Sequence, residues 1–131
     1  MKLSRNVRAL AVALVVNVVI VILLTPVGFE SRPPADLKTV GLIAIGTIFT
    51  GLALDIASFA LLFRRARLAS GLAIVGAILF FFPIVGDQIG AFFSLPTPPV
   101  INTLEYIFVP VLLVTLFLAS NVYRENKPSP S

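Results

Sequence analysis

A single carboxylic acid lies deep inside a long apolar segment of this chain. Asp55 belongs to residues 39–63, which contain no other ionisable side chain. A carboxyl group in such a place can bind a proton or a cation, or it can fix helix packing through a hydrogen bond. Because inserting its charged form into hydrocarbon costs about 2.5–3.5 kcal/mol, we predict that Asp55 is uncharged at neutral pH and donates one hydrogen bond.

Other polar side chains recur at the same depth as this acid. Each lies nine residues from an arginine at the end of its own apolar segment, which corresponds to about 13–14 Å of helix. The spacing therefore predicts one polar layer near mid-membrane, with a glycine that lets the remaining helix approach. The predicted layer consists of Asn17, Asp55 and Thr115, with Gly76 on the third helix.

The elements that carry this layer are four apolar segments. The chain has 131 residues, of which 58% are hydrophobic and 12% charged, and its mean hydropathy is +1.04. These values predict a single all-α domain, an integral membrane four-helix bundle. The predicted spans are residues 9–25, 39–63, 68–86 and 103–122. A basic start followed by an apolar stretch also resembles a signal peptide, but no small-residue cleavage pattern follows, so we expect an uncleaved first helix.

The positive charges indicate how these helices are oriented. Eight of the ten Lys and Arg residues lie at the ends that share a side with both termini. Basic residues in short segments favour the cytoplasmic side. The sequence therefore predicts a multi-pass protein of the cell membrane with both termini inside (N-in/C-in).

The connecting segments are rich in proline. Pro26 is expected to end the first helix and to begin a loop over residues 25–38. Residues 89–95 are apolar but too short to cross a bilayer, which predicts an interfacial or re-entrant stub between the third and fourth helices. Residues 123–131 are polar and predict a disordered tail.

Small and bulky residues separate onto two faces of the second helix. Small residues favour contact between membrane helices, whereas lipid solvates bulky apolar ones. We therefore predict that the small face packs against protein and that the face with Phe49, Ile56 and Phe63 contacts lipid. The predicted packing residues are Ala44, Thr47, Gly51, Ser58 and Gly76.

Charged residues at the helix ends have simpler interpretations. Arg64, Arg65 and Arg67 could bind anionic lipid headgroups or could act only as a topology signal. The acids predicted on the outer side, which include Asp87 and Glu105, could form a weak cation site, but no loop shows the spacing of a calcium site, and solvated loop charge with helix capping explains them better.

Composition excludes several classes of function. The chain has no Cys, no His and one Met, so the usual zinc, copper and haem ligands are missing and we predict no metal site and no cofactor. No nucleophile–base arrangement is visible, so we do not expect an enzyme. The net charge of +4 is concentrated at helix ends, which does not suggest nucleic acid as a partner.

Three functions remain after these exclusions. The first is a small structural or accessory subunit of a membrane complex, with lipids and either a membrane protein or a second copy as partners. The second is a dimeric proton-coupled transporter that uses Asp55. In size and helix count the chain is similar to the small multidrug resistance transporters, although that family carries its acid in the first helix, where this chain has Asn17, and is rich in Trp, which this chain lacks. The third is a lipid-binding membrane protein.

Overall fold

The protein consists of helices wherever its structure is described. The computed structural model describes residues 4–31, 39–89 and 99–126, and it contains no β-strand in those ranges. The helices are α1 (Arg5–Ser31), α2 (Thr39–Leu61), α3 (Ala66–Gln88) and α4 (Pro99–Glu125). Each contains a segment long and apolar enough to cross a membrane. A helix satisfies its own backbone hydrogen bonds, which is why apolar segments of this length adopt it in hydrocarbon.

The four helices pack as a closed ring in which each contacts its neighbours in the chain and α4 returns to α1. The most extensive contact joins α2 to α3, and the least extensive joins α1 to α2. Small residues explain the first of these contacts, because Ala69, Ala73 and Ala77 of α3 are almost completely buried. Such residues let two helix backbones approach closely.

The interior contains two hydrophobic clusters, one towards each end of the bundle. The first includes Val7, Leu62, Ala69 and Val122, close to the arginine-rich turn, and it unites one end of all four helices. The second lies towards the other end and has Phe80 and Phe108 at its centre, with ring centroids 5.4 Å apart. Residues of both clusters occur on α1, α3 and α4, with a short interval between them in each helix.

Two helices, α1 and α4, extend well beyond the predicted spans. Helix α1 continues through Pro26 to Ser31, so Pro26 does not end it. A proline removes one backbone hydrogen bond, and a helix in an apolar environment tolerates that loss better than an open loop. Helix α4 begins at Pro99, includes Pro110 and continues to Glu125, so residues 123–125 extend the helix rather than begin the tail.

The remaining helix ends lie close to the predicted limits. Helix α2 ends at Leu61 and is followed by a turn, after which α3 begins at Ala66. The basic cluster Arg64–Arg67 thus comprises the connection and the first residues of α3. Of the predicted stub, residues 89–95, only Ile89 is described. Residues 127–131 of the predicted tail also lie outside the described residues.

Candidate functional site

The three polar side chains of the predicted layer are all completely buried. Asn17, Asp55 and Thr115 each have 0% exposure and lie on three different helices. On α1 and α4, Asn17 and Thr115 lie between residues of the two hydrophobic clusters, and Asp55 does so on α2. The buried polar groups therefore occupy the interval between two apolar cores.

Asn17 and Thr115 contact each other directly. The Asn17 Nδ2 atom donates a hydrogen bond to the Thr115 Oγ1 atom at 2.9 Å. The Thr115 hydroxyl in turn donates to the Val111 carbonyl of its own helix at 2.8 Å. Because a threonine hydroxyl has one proton and accepts as well, both of its functions are used. This pair joins α1 to α4 at mid-helix.

Asp55 packs against a glycine instead of a hydrogen-bonding group. A Cβ atom added at Gly76 would lie 2.9 Å from Asp55 Oδ1 and 3.4 Å from the Gly51 carbonyl oxygen. Only glycine leaves space for the carboxyl group at this point of α3. The structure thus brings Asp55 and Gly76 together and places α2 and α3 in close contact.

The carboxyl group of Asp55 lacks the hydrogen bond that the sequence predicted. Both of its oxygen atoms are buried without a partner in the described part of the chain, and so is the Asn17 Oδ1 atom. The expectation that Asp55 donates one hydrogen bond is therefore not met in the described residues, and the Asn17 amide is directed at Thr115 on α4. Unpartnered buried polar groups are rare in proteins, and their explanations include a functional role, stored strain and a bound water or ion.

The rest of the α2 stripe also faces the protein. Ala44, Gly51 and Ser58 are buried, and Thr47 is half-buried and donates to the Ala44 carbonyl. The Ser58 hydroxyl donates to the Ala69 carbonyl of α3 at 2.6 Å. A Cβ atom at Gly51 would lie 3.0 Å from the Phe80 ring. On the other face, Phe49, Ile56, Phe59 and Phe63 are exposed.

The three arginines of the turn have different surroundings. Arg64 and Arg65 are exposed, whereas Arg67 is half-buried. The Arg67 guanidinium group donates to the Tyr123 hydroxyl at 2.8 Å and lies 3.9 Å from the centre of the Tyr123 ring. Arg67 is thus engaged within the protein, and Arg64 and Arg65 present their charge to the surroundings.

A polar cluster at the opposite end of the bundle was missed by sequence reasoning. Asp87 and Glu105 were expected to be solvated, but they are only 8% and 5% exposed. The Gln88 amide donates to Glu105 at 2.5 Å and to Asn102 at 2.9 Å. The one available signal was position, since polar residues end α3 and recur in the first two turns of α4. The cluster joins α3 to α4 through hydrogen bonds.

A shallow groove lies on the outside of the bundle, along the contact between α1 and α2. Its volume is about 190 Å³, and its lining is apolar. Most of the lining side chains are partly exposed, and Phe59 lies at its edge nearest the arginine turn. The lining consists of Leu14, Val15, Val18, Val19, Ile56 and Phe59.

No group of three or more His, Cys, Asp or Glu side chains in the described residues is arranged to hold a metal ion. The buried polar side chains of the described residues comprise three carboxyl groups, one amide and three hydroxyl groups: Asp55, Asp87 and Glu105, Asn17, and Ser58, Ser70 and Thr115. No protein-family model, no curated protein and no solved structure matches this chain, so its site is interpreted from its own geometry alone.

Proposed function

We propose that this is a multi-pass protein of the cell membrane with both termini in the cytoplasm. Eight of the ten Lys and Arg residues belong to the N-terminus, the Arg64–Arg67 turn and the C-terminal segment. Val7, Leu62 and Val122, which adjoin these three basic regions, belong to one hydrophobic cluster at one end of the bundle. An end with such a concentration of positive charge favours the cytoplasmic side.

Within that membrane, we propose a role as a small structural or accessory subunit of a larger complex. The supporting observation is the separation of polar and apolar groups. The polar side chains of the layer face inward and are fully buried, while large apolar residues cover the outside. Where a hydroxyl group of α2 does face outward, at Thr50, it donates to its own helix at the Gly46 carbonyl.

Helix α4 presents the best candidate surface for a partner. Its outward face carries a continuous stripe at helical spacing, and every member of the stripe is exposed. Both ends of this stripe are aromatic, and aromatic residues are enriched in protein interfaces. The stripe consists of Tyr106, Ile107, Pro110, Leu113, Val114 and Phe117.

Photo-crosslinking tests this role. A benzophenone amino acid replaces Phe117 on α4 in one variant and Phe49 on α2 in the matched control, since both side chains are more than half exposed. After irradiation in native membranes, the Phe117 variant is expected to form one discrete adduct with a membrane protein, identified by mass spectrometry. Adducts with lipid alone at both positions would contradict the subunit role, and an adduct of twice the chain mass would identify a homodimer.

A second function, proton-coupled transport, is favoured by one specific observation. Both oxygen atoms of Asp55 are buried and unpartnered in the described residues. A clamp needs a hydrogen bond, which the Asn17–Thr115 pair supplies and Asp55 does not. An intramembrane carboxyl group without a structural bond suits a group that gains and loses a proton.

Flux measurements distinguish this second function from the first. The protein is reconstituted in vesicles that contain a pH-sensitive dye, and a potassium diffusion potential drives proton entry. Transport predicts flux in the native protein that Asp55→Asn abolishes, while Ser58→Ala, in the same helix face, retains it. Equal flux in all three proteins and in empty vesicles would leave only the structural role.

A further inference from the structure

The groove between α1 and α2 is small, open and apolar. Its volume of about 190 Å³ is below the range of about 300–1,000 Å³ that is typical of pockets for compact small molecules. It is apolar throughout and lies on the outside of the bundle, which faces lipid if the helices span the proposed membrane. A segment of acyl chain fits such a groove better than a compact ligand does.

The two walls of the groove lead to arginines at the same end of the bundle. On α1, Arg8 lies seven residues before Val15 and therefore on the same face of the helix. On α2, Phe59 contacts Phe63 edge to face, with ring centroids 5.9 Å apart, and Arg64 follows directly. Because Val7 and Leu62 belong to one hydrophobic cluster, these arginines lie at one level of the bundle.

These two arginines have no partner within the described structure. Arg8 and Arg64 are both exposed, and among the described residues neither guanidinium group forms a hydrogen bond or an ion pair. Arg67 and Arg124, by contrast, donate to Tyr123 and Asn121. Arg5 and Arg65 are also exposed, but Arg8 and Arg64 are the two that continue the walls of the groove.

We infer that this surface binds an anionic phospholipid, with its phosphate at Arg8 and Arg64 and one acyl chain along the groove. Guanidinium groups match phosphate oxygens in geometry and charge. Seven residues of α1 separate Val15 from Arg8, a rise of about 10 Å, which is within the half-thickness of about 15 Å of the hydrocarbon layer. The inference depends on the membrane location but not on the subunit role.

The absence of tryptophan from the chain allows a direct test. Phe59→Trp places the only indole at the groove, and Phe49→Trp places it on the same helix but far from the groove and the arginines. Each variant is reconstituted in vesicles with brominated phosphatidylglycerol or brominated phosphatidylcholine at equal mole fraction, since bromine quenches only a nearby indole. Phe63→Trp serves as a second groove reporter if Phe59→Trp does not fold.

The expected result is selective quenching at the groove. Brominated phosphatidylglycerol should compete for the Phe59→Trp site better than phosphatidylcholine, by about fivefold for each arginine that contacts it. The Phe49→Trp control should show no such preference. Adding Arg8→Gln and Arg64→Gln to the Phe59→Trp variant should remove the preference for phosphatidylglycerol. Arg124 is an exposed arginine at the same end of the bundle, on α4, and adding Arg124→Gln instead should leave the preference unchanged.

Three outcomes would overturn the inference. Equal quenching by the two lipids at the groove would show that it has no anionic site. A preference that survives Arg8→Gln with Arg64→Gln would show that these side chains do not bind the phosphate. Protection of the indole from both lipids would show that a protein surface, such as a second copy of this chain, covers the groove. Failure of the crosslinking test for a subunit role would change none of these readouts.

Discussion

The two halves of the buried polar layer use their polar groups in different ways. Where α1 meets α4, Asn17 donates to Thr115, and the hydroxyl of Thr115 donates onward to its own helix. Where α2 meets α3, Asp55 packs against Gly76, and neither carboxyl oxygen has a partner in the described residues. All three side chains have the same exposure, 0%. Burial is thus equal in the two halves, while hydrogen bonding is not.

The difference arises from the residue that each polar group faces. Thr115 offers a donor and an acceptor, so the amide of Asn17 can bond across the helix contact. Gly76 has no side chain and so offers only space. At the level of the layer a polar pair therefore joins α1 to α4, whereas close backbone packing joins α2 to α3, where the contact is most extensive and where the Ser58 hydroxyl adds a hydrogen bond nearer the arginine turn. The carboxyl group of Asp55 forms no hydrogen bond across either contact in the described residues.

The largest expected effect is steric and concerns Gly76. Gly76→Leu puts a branched side chain where even a Cβ atom would lie 2.9 Å from Asp55 Oδ1, so α2 and α3 must separate. Overpacking a core usually costs about 1–3 kcal/mol. We expect the free energy of unfolding to fall by an amount at the upper end of that range or beyond it. This free energy is measured by unfolding the protein in mixed micelles of increasing dodecyl sulfate content while circular dichroism monitors the loss of helix.

The control for this prediction is another glycine in the same helix. A Cβ atom at Gly71 would meet nothing within 4 Å, so Gly71→Ala should leave stability unchanged or raise it by about 0.5–1 kcal/mol through helix propensity. Gly76→Ala should lower the stability. Adding Asp55→Ala should restore it, because the Asp55 carboxyl oxygen is the atom that the new methyl group approaches most closely. A Gly76→Ala protein as stable as Gly71→Ala would contradict the close contact.

The next effect concerns the hydrogen-bonded half of the layer. Thr115→Val keeps the shape of the side chain but removes both hydrogen bonds of the hydroxyl, and Asn17→Ala removes the donor. In a double-mutant cycle, we expect a coupling free energy near the average of about 0.6 kcal/mol for hydrogen bonds between membrane helices, with about 1.7 kcal/mol as the upper end. Additive effects of the two substitutions would show that the pair does not stabilise the bundle.

A smaller loss is expected between α2 and α3 at Ser58. Its hydroxyl donates to the Ala69 carbonyl at 2.6 Å, but that carbonyl also accepts within α3. Ser58→Ala should therefore lower the free energy of unfolding by about 0.6 kcal/mol or less. Thr50→Ala, in the same helix and exposed, is the matched control, because the Thr50 hydroxyl bonds only to its own helix. Equal losses at the two positions would assign Ser58 no role between helices.

The sequence was informative about the helices because each signal was local. Long apolar segments predicted four helices that could span a membrane, and the structure contains four. Residue spacing along one helix also predicted which side chains share a face, and the small residues Ala44, Gly51 and Ser58 are indeed buried together. Proline was a poorer guide at Pro26, which was expected to end the first helix and lies inside it, whereas Pro110 lies inside α4, within the predicted span 103–122. A helix in an apolar environment continues past a single missing hydrogen bond.

Side-chain partners could not be predicted in the same way. Depth alone grouped Asn17, Asp55 and Thr115, but rotation of each helix about its axis decides which of them touch. Asn17 faces Thr115 on α4, and Asp55 faces Gly76 on α3. The burial of Glu105 beside Gln88 likewise depends on how α3 and α4 meet across a connection whose geometry no local pattern specifies.

The smallest expected effect on stability is the one that bears most on function. Asp55→Ala removes a buried carboxyl group that makes no hydrogen bond in the described residues. Removing an unsatisfied polar group relieves a desolvation penalty of about 1–3 kcal/mol, while the small cavity left by three atoms costs roughly 0.5–1 kcal/mol. The free energy of unfolding should therefore stay within about 1 kcal/mol of the native value, or rise.

The comparison with Asn17→Ala makes this result decisive, because both substitutions truncate a fully buried side chain of similar size. A loss at Asp55 equal to that at Asn17 would show that the carboxyl group is bonded in the folded protein and serves as a second clamp. A neutral or stabilising result would mean that packing does not need the acid. Such a result would favour the proton-coupled role proposed for Asp55 over a role in packing.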